Sequence, residues 1–347
     1  MIKEKQTQLS IFKQSEVDRL MKRLTRTDNI VITTHRNPDG DAMGSSLALA
    51  LVLRKAGHKV TVLTPNPYDY FLHWMPTVRD TVFADRDMAT ASEIINDAGL
   101  IFCLDYNALH RVGEMGDLIG SAVAPAVLID HHLEPEDFAQ YNFHIAGISS
   151  TAELVYRLLL QLGYTHHIDA DVATCLYVGL MTDTGSFRFS TTTADVHRIV
   201  ANLLEHNIEV GAIHNRIFDN YNESRVRFLG YVLYQKLQVL PEYHTAYMTV
   251  SLDEIEKFDL KAGDTEGFVN YGLSMRGINF AVLIKESIDG TKLSLRSIGS
   301  FPCNTFAAHF GGGGHHNASG GRVDMSLAET EQKFRSLLEV YRSQLKY

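Results

Sequence analysis

The sequence predicts an α/β fold: a parallel sheet with helices on both faces, then a helical connector, then a smaller α/β domain. Through the first half, short and almost wholly apolar runs alternate with helical patterns, which is how strands buried on both faces read. Several of these runs end in an aspartate. A stretch of helical spacing then separates them from a second group of strands nearer the C-terminus.

Residues 29–35 (NIVITTH) form the first strand, and residues 41–57 (DAMGSSLALALVLRKAG) a helix ending at Gly57. Residues 58–64 (HKVTVLT) are the next strand, and residues 100–105 (LIFCLD) and 125–130 (PAVLID) are two more, each closing on an aspartate. Residues 149–163 (SSTAELVYRLLLQLG) are a helix, with Ser150 and Glu153 as a capping box and Gly163 just past its end. Residues 173–183 (ATCLYVGLMTD) have a helical pattern and end on Asp183. From about Thr193, Val196, Ile199, Val200, Leu203 and Leu204 fall at helical spacing, and residues 224–237 (SRVRFLGYVLYQKL) continue it. Strands return at 244–252, 278–286 and 291–298. The expected domains are therefore 1–192, a connector at 193–237, and 238–347.

The chain has 347 residues, 45% of them hydrophobic, which is enough for two cores. Its formal net charge of -9 removes the global positive field that draws a protein onto long duplex DNA. Short anionic ligands stay open, because a local site on an acidic protein can still be positive. Cys103, Cys175 and Cys303 are far apart, and their apolar neighbours point to buried free thiols in a reducing compartment. The N-terminal residues are polar and lack an apolar signal core, and the longest apolar runs are too short to span a bilayer. A soluble cytoplasmic protein without a membrane partner is expected.

The acidic and histidine residues gather where strands end. His35, Asp39 and Asp41 follow the first strand, Asp105 ends another, and Asp130, His131 and His132 end a third. In open α/β sheets the carboxyl ends of the strands form one rim, and ligands bind there. Each aspartate alone reads as a helix cap. As a set with Asp183, four like charges on one rim repel, and divalent cations remove that repulsion. Two cations sharing Asp105 would use the whole group.

Residues 34–45 (THRNPDGDAMGS), 104–107 (LDYN), 129–132 (IDHH) and 179–187 (GLMTDTGSF) resemble, in order, the signature motifs of the DHH phosphoesterases. Residues 310–321 (FGGGGHHNASGG) resemble the glycine-rich motif of the DHHA1 domain. The branch this pattern is most similar to is the stand-alone nano-RNases. These are oligoribonucleases that also remove the 3′-phosphate of 3′-phosphoadenosine 5′-phosphate (pAp).

The resemblance implies that His35 and Asp39 bind one Mn²⁺, that Asp41, His131 and Asp183 bind a second, and that Asp105 bridges them. It implies that Asp130 orients His131 and that His132 faces the scissile phosphate. Mixed imidazole and carboxylate ligands suit Mn²⁺ better than Mg²⁺, with Co²⁺ and Mg²⁺ as substitutes. The implied reaction is attack on phosphorus by a metal-bridging hydroxide.

On the substrate side, Ser294 and Arg296 share one face of a strand, and the resemblance makes Arg296 a phosphate clamp with Ser297 beside it. Gly313, Gly314 and His315 would reach the substrate from the second domain, and Arg111 and Ser186 from the first. An active site in a cleft between the domains is the expected arrangement, sized for short RNA or DNA oligonucleotides and pAp-like nucleotides. Residues 202–218 are a candidate homodimer surface. His144, His166 and His167 lie outside the motifs and read as structural or solvent-exposed. Two rival functions are a soluble phosphodiesterase of cyclic di-AMP or its linear product pApA, and a non-catalytic nucleotide or RNA binder. The complete ligand set argues against the latter.

Overall fold

A computed structural model describes residues 9–261 and 263–345. The chain forms two compact units that divide between Asn220 and Tyr221. Among the described residues, no helix is long and apolar enough to cross a membrane. All three cysteines are buried and free.

The first unit runs α1 (Gln14–Leu24), β1 (Asn29–Thr34), α2 (Gly40–Lys55), β2 (Lys59–Thr64), β3 (Val82–Phe83), α3 (Met88–Asn96) and β4 (Leu100–Leu104). It continues with α4 (Met115–Ser121), β5 (Ala126–Ile129), β6 (Tyr141–Asn142), α5 (Thr151–Gln161), α6 (Ala170–Asp183), α7 (Ala194–Leu204) and α8 (Val210–Phe218). Its six strands are all parallel, in the order β3-β2-β1-β4-β5-β6. Strands β4 and β5 are buried at every position and β1 at all but its first, which is why their sequences carry no polar alternation. Ile30, Ile32, Phe102, Leu104, Val127 and Ile129 pack on one side with α2, α5 and α6. Val31, Ile101, Cys103 and Leu128 pack on the other with α3 and α4. The two-faced parallel sheet is thus as expected.

The strand order fixes where a ligand can bind. From β1 the chain steps outward to β2 and β3, then returns to the other side of β1 for β4, β5 and β6. The direction reverses between β1 and β4, so the crevice beyond their carboxyl ends is the topological switch point. Both motif-bearing turns leave the sheet there.

The second unit runs α9 (Glu223–Tyr231), β7 (Gln238–Leu240), β8 (Thr245–Val250), α10 (Leu252–Lys257), α11 (Phe268–Leu273), β9 (Phe280–Ser287) and β10 (Gly290–Ser297). Then come α12 (Cys303–Ala308), β11 (Gly313–His315), β12 (Ala318–Val323) and α13 (Leu327–Tyr341). Its mixed sheet has the order β11-β12-β10-β9-β8-β7, with only β8 and β9 parallel. Phe280, Val282, Ile284, Leu293 and Leu295 pack with α12 and α13 on one face. Met248, Val250, Ala281 and Leu283 pack with Phe228 and Phe268 on the other.

Residues of the expected connector at 193–237 pack into both cores: Val196, Ile199, Leu203, Ile213 and Ile217 belong to the first core, whereas Phe228 and Val232 belong to a core of the second unit. Periodicity marked the helices but not the core each one feeds. In the glycine-rich stretch β11 pairs antiparallel with β12. A Cβ on Gly312 would lie 1.9 Å from the Gly320 carbonyl oxygen, so the absence of side chains is what lets the backbones close. The capping box of α5 is half formed. Ser150 Oγ accepts from Glu153 N at 3.1 Å, but the Glu153 carboxylate turns to Ser149 and Arg157 instead. A buried carboxylate gains more from a buried guanidinium than from a second capping bond.

Candidate metal centre

Each side chain of the cluster is delivered by a strand or helix end. His35 follows β1 and is buried, its Nδ1 2.9 Å from the Arg36 carbonyl oxygen. Asp39 is the N-cap of α2 and takes the amide hydrogens of Asp41 and Ala42 on Oδ1, both at 3.0 Å. Its capping role is therefore real. The same oxygen lies 3.9 Å from His35 Nε2, and the side chain is 57% exposed. Asp41, one step into α2, is buried. Asp183 closes α6. Helices α2 and α6 approach so closely that a Cβ on Gly44 would lie 2.5 Å from the Cys175 carbonyl oxygen.

Asp105 is the first residue beyond β4. It sits in the left-handed region with φ 64°, a conformation aspartate tolerates better than most residues, and its side chain is buried. Its Oδ2 lies 3.4 Å from His35 Nε2 and its Oδ1 3.5 Å from His131 Nε2. His131 Nε2 is also 3.3 Å from Asp183 Oδ2. The donor atoms of His35, Asp39 and Asp105 fall within 4.8 Å of one another, and so do those of Asp41, His131 and Asp183.

The electrostatics of this cluster suit cations. Burial, then the charges of Asp105 and Asp183, hold the Asp41 carboxyl well above the usual carboxylate range. Asp183 is pushed up to about 7, mainly by burial; His131 opposes, and Asp105 and Asp39 add to the rise. Burial works against the Asp105 charge, yet His131, His35 and His132 together hold that carboxyl well below its ordinary value. Burial likewise pulls His131 and His35 down, but their carboxylate neighbours carry both above the usual histidine range. Left to itself, the cluster keeps protons to offset crowded negative charge. Divalent cations on mixed nitrogen and oxygen donors remove the same crowding. The donor atoms therefore fit divalent cations, with His35, Asp39 and Asp105 as one group and Asp41, His131 and Asp183 as another.

Asp130 contacts the second histidine of the pair. Its Oδ1 is 2.7 Å from His132 Nδ1, and its Oδ2 accepts from the His132 amide at 3.1 Å. His131 Nδ1 instead faces the Ile148 carbonyl oxygen at 3.1 Å, which leaves Nε2 toward Asp105 and Asp183. Asp130 curls onto the residue two ahead of it, as aspartates in turns do. His144, read as structural or exposed, is half-buried and supports the same turn, its Nε2 2.6 Å from the His132 carbonyl oxygen.

The expected substrate residues divide. Arg111 lies near enough for its charge to oppose protonation of His35, and its carbonyl oxygen accepts from Arg36 N at 2.9 Å. Ser186 sits in a left-handed run with Gly185 and Phe187, directly past Asp183. In the second unit Ser294 and Arg296 are half-buried between buried Leu293, Leu295 and Ser297, so the alternation is as expected. Ser297 itself is on the inner face, where its hydroxyl donates to the Phe301 carbonyl oxygen at 2.7 Å and accepts from Asn317 Nδ2 at 2.7 Å. It braces the hairpin and does not share a face with Arg296. Gly313 and Gly314 are exposed on β11, and His315 is half-buried at its end.

Sequence reasoning missed Thr151 and Ala152, whose amides donate to Asp41 at 2.6 and 2.9 Å, and the Thr151 hydroxyl, which donates to Asp105 at 2.9 Å. The available signal was the run SSTAE at 149–153, which reads as a cap and nothing more.

The likeness to known proteins runs along most of the chain. Residues 29–180 match the DHH family, N-terminal domain, and residues 241–346 match the DHHA1 domain. The sequence is 29% identical to the bifunctional oligoribonuclease and PAP phosphatase NrnA of Thermus thermophilus, over 91% of this chain and 90% of that protein. It is 25% identical to the protein of the same name from Bacillus subtilis, over 90% of this chain and 96% of that one. The crystal structure of an exopolyphosphatase-related protein from Bacteroides fragilis superposes with a TM-score of 0.94 at 41% identity, covering 97% of this chain and 99% of the other. Exonuclease RecJ bound to manganese shares the fold, with a TM-score of 0.52 at 14% identity and 96% of each chain covered.

Proposed function

The chain belongs to the DHH family and carries a DHHA1 domain, and from that membership we propose that it hydrolyses phosphoester bonds in short oligonucleotides and in pAp, with Mn²⁺ as cofactor. The observation that carries this reading is Asp105, which turns one oxygen to His35 and the other to His131. A single carboxylate thereby links two donor sets. When bound, a pair of divalent cations supplies Lewis acidity, acidifying water and drawing charge from the phosphoryl oxygens.

The chain's own residues do the rest. Asp130 fixes the ring of His132 through Nδ1, and His132 is the proposed contact of the scissile phosphate. Burial of Asp41, Asp105, His131 and His132 excludes bulk water and strengthens every charge interaction in the cluster. Arg111 and Ser186 are the proposed phosphate contacts of the first unit. Arg296, Gly313, Gly314 and His315 are those of the second, with Ser297 bracing the hairpin beneath them. The NrnA relatives span the whole of this arrangement, which supports oligoribonucleotides and pAp over a long polymer. Buried free thiols support a reducing, cytoplasmic setting.

The test is a substrate panel with Mn²⁺: di- to pentaribonucleotides, pAp, pApA, cyclic di-AMP and polyphosphate, each with and without EDTA. Short oligonucleotides and pAp should be cleaved and EDTA should stop both. Preference for cyclic di-AMP or pApA would turn the reading to a dinucleotide phosphodiesterase. Failure on every phosphoester with Mn²⁺, Co²⁺ and Mg²⁺ would end it.

A further inference from the structure

Within the segment 148–152, Ile148, Thr151 and Ala152 touch three of the candidate ligands. The Ile148 carbonyl oxygen faces His131 Nδ1 at 3.1 Å. The amides of Thr151 and Ala152 donate to Asp41 Oδ2 and Oδ1, at 2.6 and 2.9 Å. Thr151 Oγ1 donates to Asp105 Oδ1 at 2.9 Å, and both side chains are buried. The three ligands have one thing in common: all belong to the cation position completed by Asp183. The other position is supported elsewhere, through the Arg36 carbonyl oxygen beside His35 and the Asp41 and Ala42 amides on Asp39.

The segment is itself pinned. Ser149 donates to Glu153 Oε2 from its amide at 3.1 Å and its hydroxyl at 2.6 Å. Arg157 donates to Glu153 Oε1 from Nε at 2.9 Å and Nη2 at 2.6 Å, and reaches the Leu9 carbonyl oxygen at 3.0 Å. Glu153 and Arg157 are both buried, so the pair is held by geometry and not merely by proximity. This network goes beyond what a helix cap requires, because Ser150 already caps α5 alone.

We infer that residues 148–152 are a positioning element for one of the two cation positions, and that the Thr151 hydroxyl fixes the half of Asp105 which that position receives. The inference rests on the two-cation reading above. Asp105 Oδ1 is the oxygen toward His131 and carries the Thr151 bond; Oδ2 is the oxygen toward His35. Without the hydroxyl Oδ1 loses its anchor, and the loss falls chiefly on the position that oxygen faces, because the other keeps His35 and Asp39 with their own supports. Thr151 touches no substrate in this scheme and acts only through Asp105.

Chelator-stripped protein titrated with Mn²⁺, by calorimetry and by electron paramagnetic resonance of the free ion, tests this without reference to turnover. Wild type should take up two Mn²⁺ per chain. Thr151→Val should weaken one of them roughly ten- to a hundredfold, as loss of a ligand's outer partner does, and affect the other much less. Thr151→Ser should restore wild-type binding, and the metal-free melting temperature of all three should stay close together. Thr151→Ala provides the same readout should Thr151→Val fold poorly. Two unaltered affinities in the variants, or equal weakening of both, overturns the inference while the two-cation reading stands. Uptake of a single Mn²⁺ by wild type overturns both.

Discussion

Asp41 and Gly179 are in direct contact: a Cβ at position 179 would lie 2.7 Å from Asp41 Oδ1 and 2.6 Å from the Ala152 Cβ. The carboxylate, the first turn of α5 and the body of α6 thus share one small volume. Gly179→Ala should push Asp41 off its two amide donors. Overpacking of this kind costs about 1–3 kcal/mol, and here it should also weaken Mn²⁺ binding. Denaturant unfolding and Mn²⁺ titration of the variant check both. Unchanged Mn²⁺ affinity would mean that α2 and α6 yield without moving the ligand.

Asp105→Asn should lower phosphoester hydrolysis by orders of magnitude at saturating Mn²⁺, because the residue faces both donor sets. The fold should persist, and circular dichroism of the metal-free variant checks that. Near-normal kcat would remove Asp105 from its bridging role.

Loss of contacts in the second unit should act on nucleotides and not on small esters. A charge-assisted hydrogen bond to phosphate is worth about 1.5–3 kcal/mol, so Arg296→Ala and His315→Ala should each lower kcat/KM for pApA roughly ten- to a hundredfold. Bis-p-nitrophenyl phosphate should be nearly unaffected in both. His131→Ala should damage the two substrates alike. Equal losses on both substrates for the first two variants would show that the second unit does not grip the nucleotide.

Metal-free protein should lose stability as pH rises. Asp41 and Asp183 have folded values above their unfolded ones, so the folded state holds more protons between the two and stability falls across that window. For Asp183 the window runs from the ordinary 3.8 up to about 7. His35 and His131 are also raised; their contribution is complete below the ordinary 6.5 and is lost as pH passes through the higher folded values. Asp105 works the other way, but only in acid below its ordinary range. Melting temperatures in EDTA should therefore fall between pH 5 and pH 8, and the gain on adding Mn²⁺ should grow over the same interval. A metal-free melting temperature that rises across it would contradict the charge crowding.

The parallel sheet was legible because β1, β4 and β5 are apolar at nearly every position, and the cluster was legible because its members sit at strand and helix ends whose spacing is local. What local pattern cannot carry is partnership across distance. Asp130 reads as a neighbour of His131, yet it bonds His132. Thr151 reads as the first residue of a helix, yet its hydroxyl belongs to a residue 46 positions away. The strands of the glycine-rich hairpin were hidden because strand propensity lies in side chains, and β11 begins with two glycines. Ser297 was placed beside Arg296 by adjacency, whereas the pleat puts consecutive residues on opposite faces.

The strand order has a further consequence for how the protein is made. The six candidate ligands are spread from His35 to Asp183, and the last of them is the final residue of α6. A chain emerging from the ribosome shows the His35, Asp39 and Asp41 trio long before β4 exists to supply Asp105. The second cation position lacks Asp183 until nearly the whole first unit has been synthesised. Cation capture at that position thus waits for α6, and a chain that stops before Asp183 would lack one of the donor atoms of the second group.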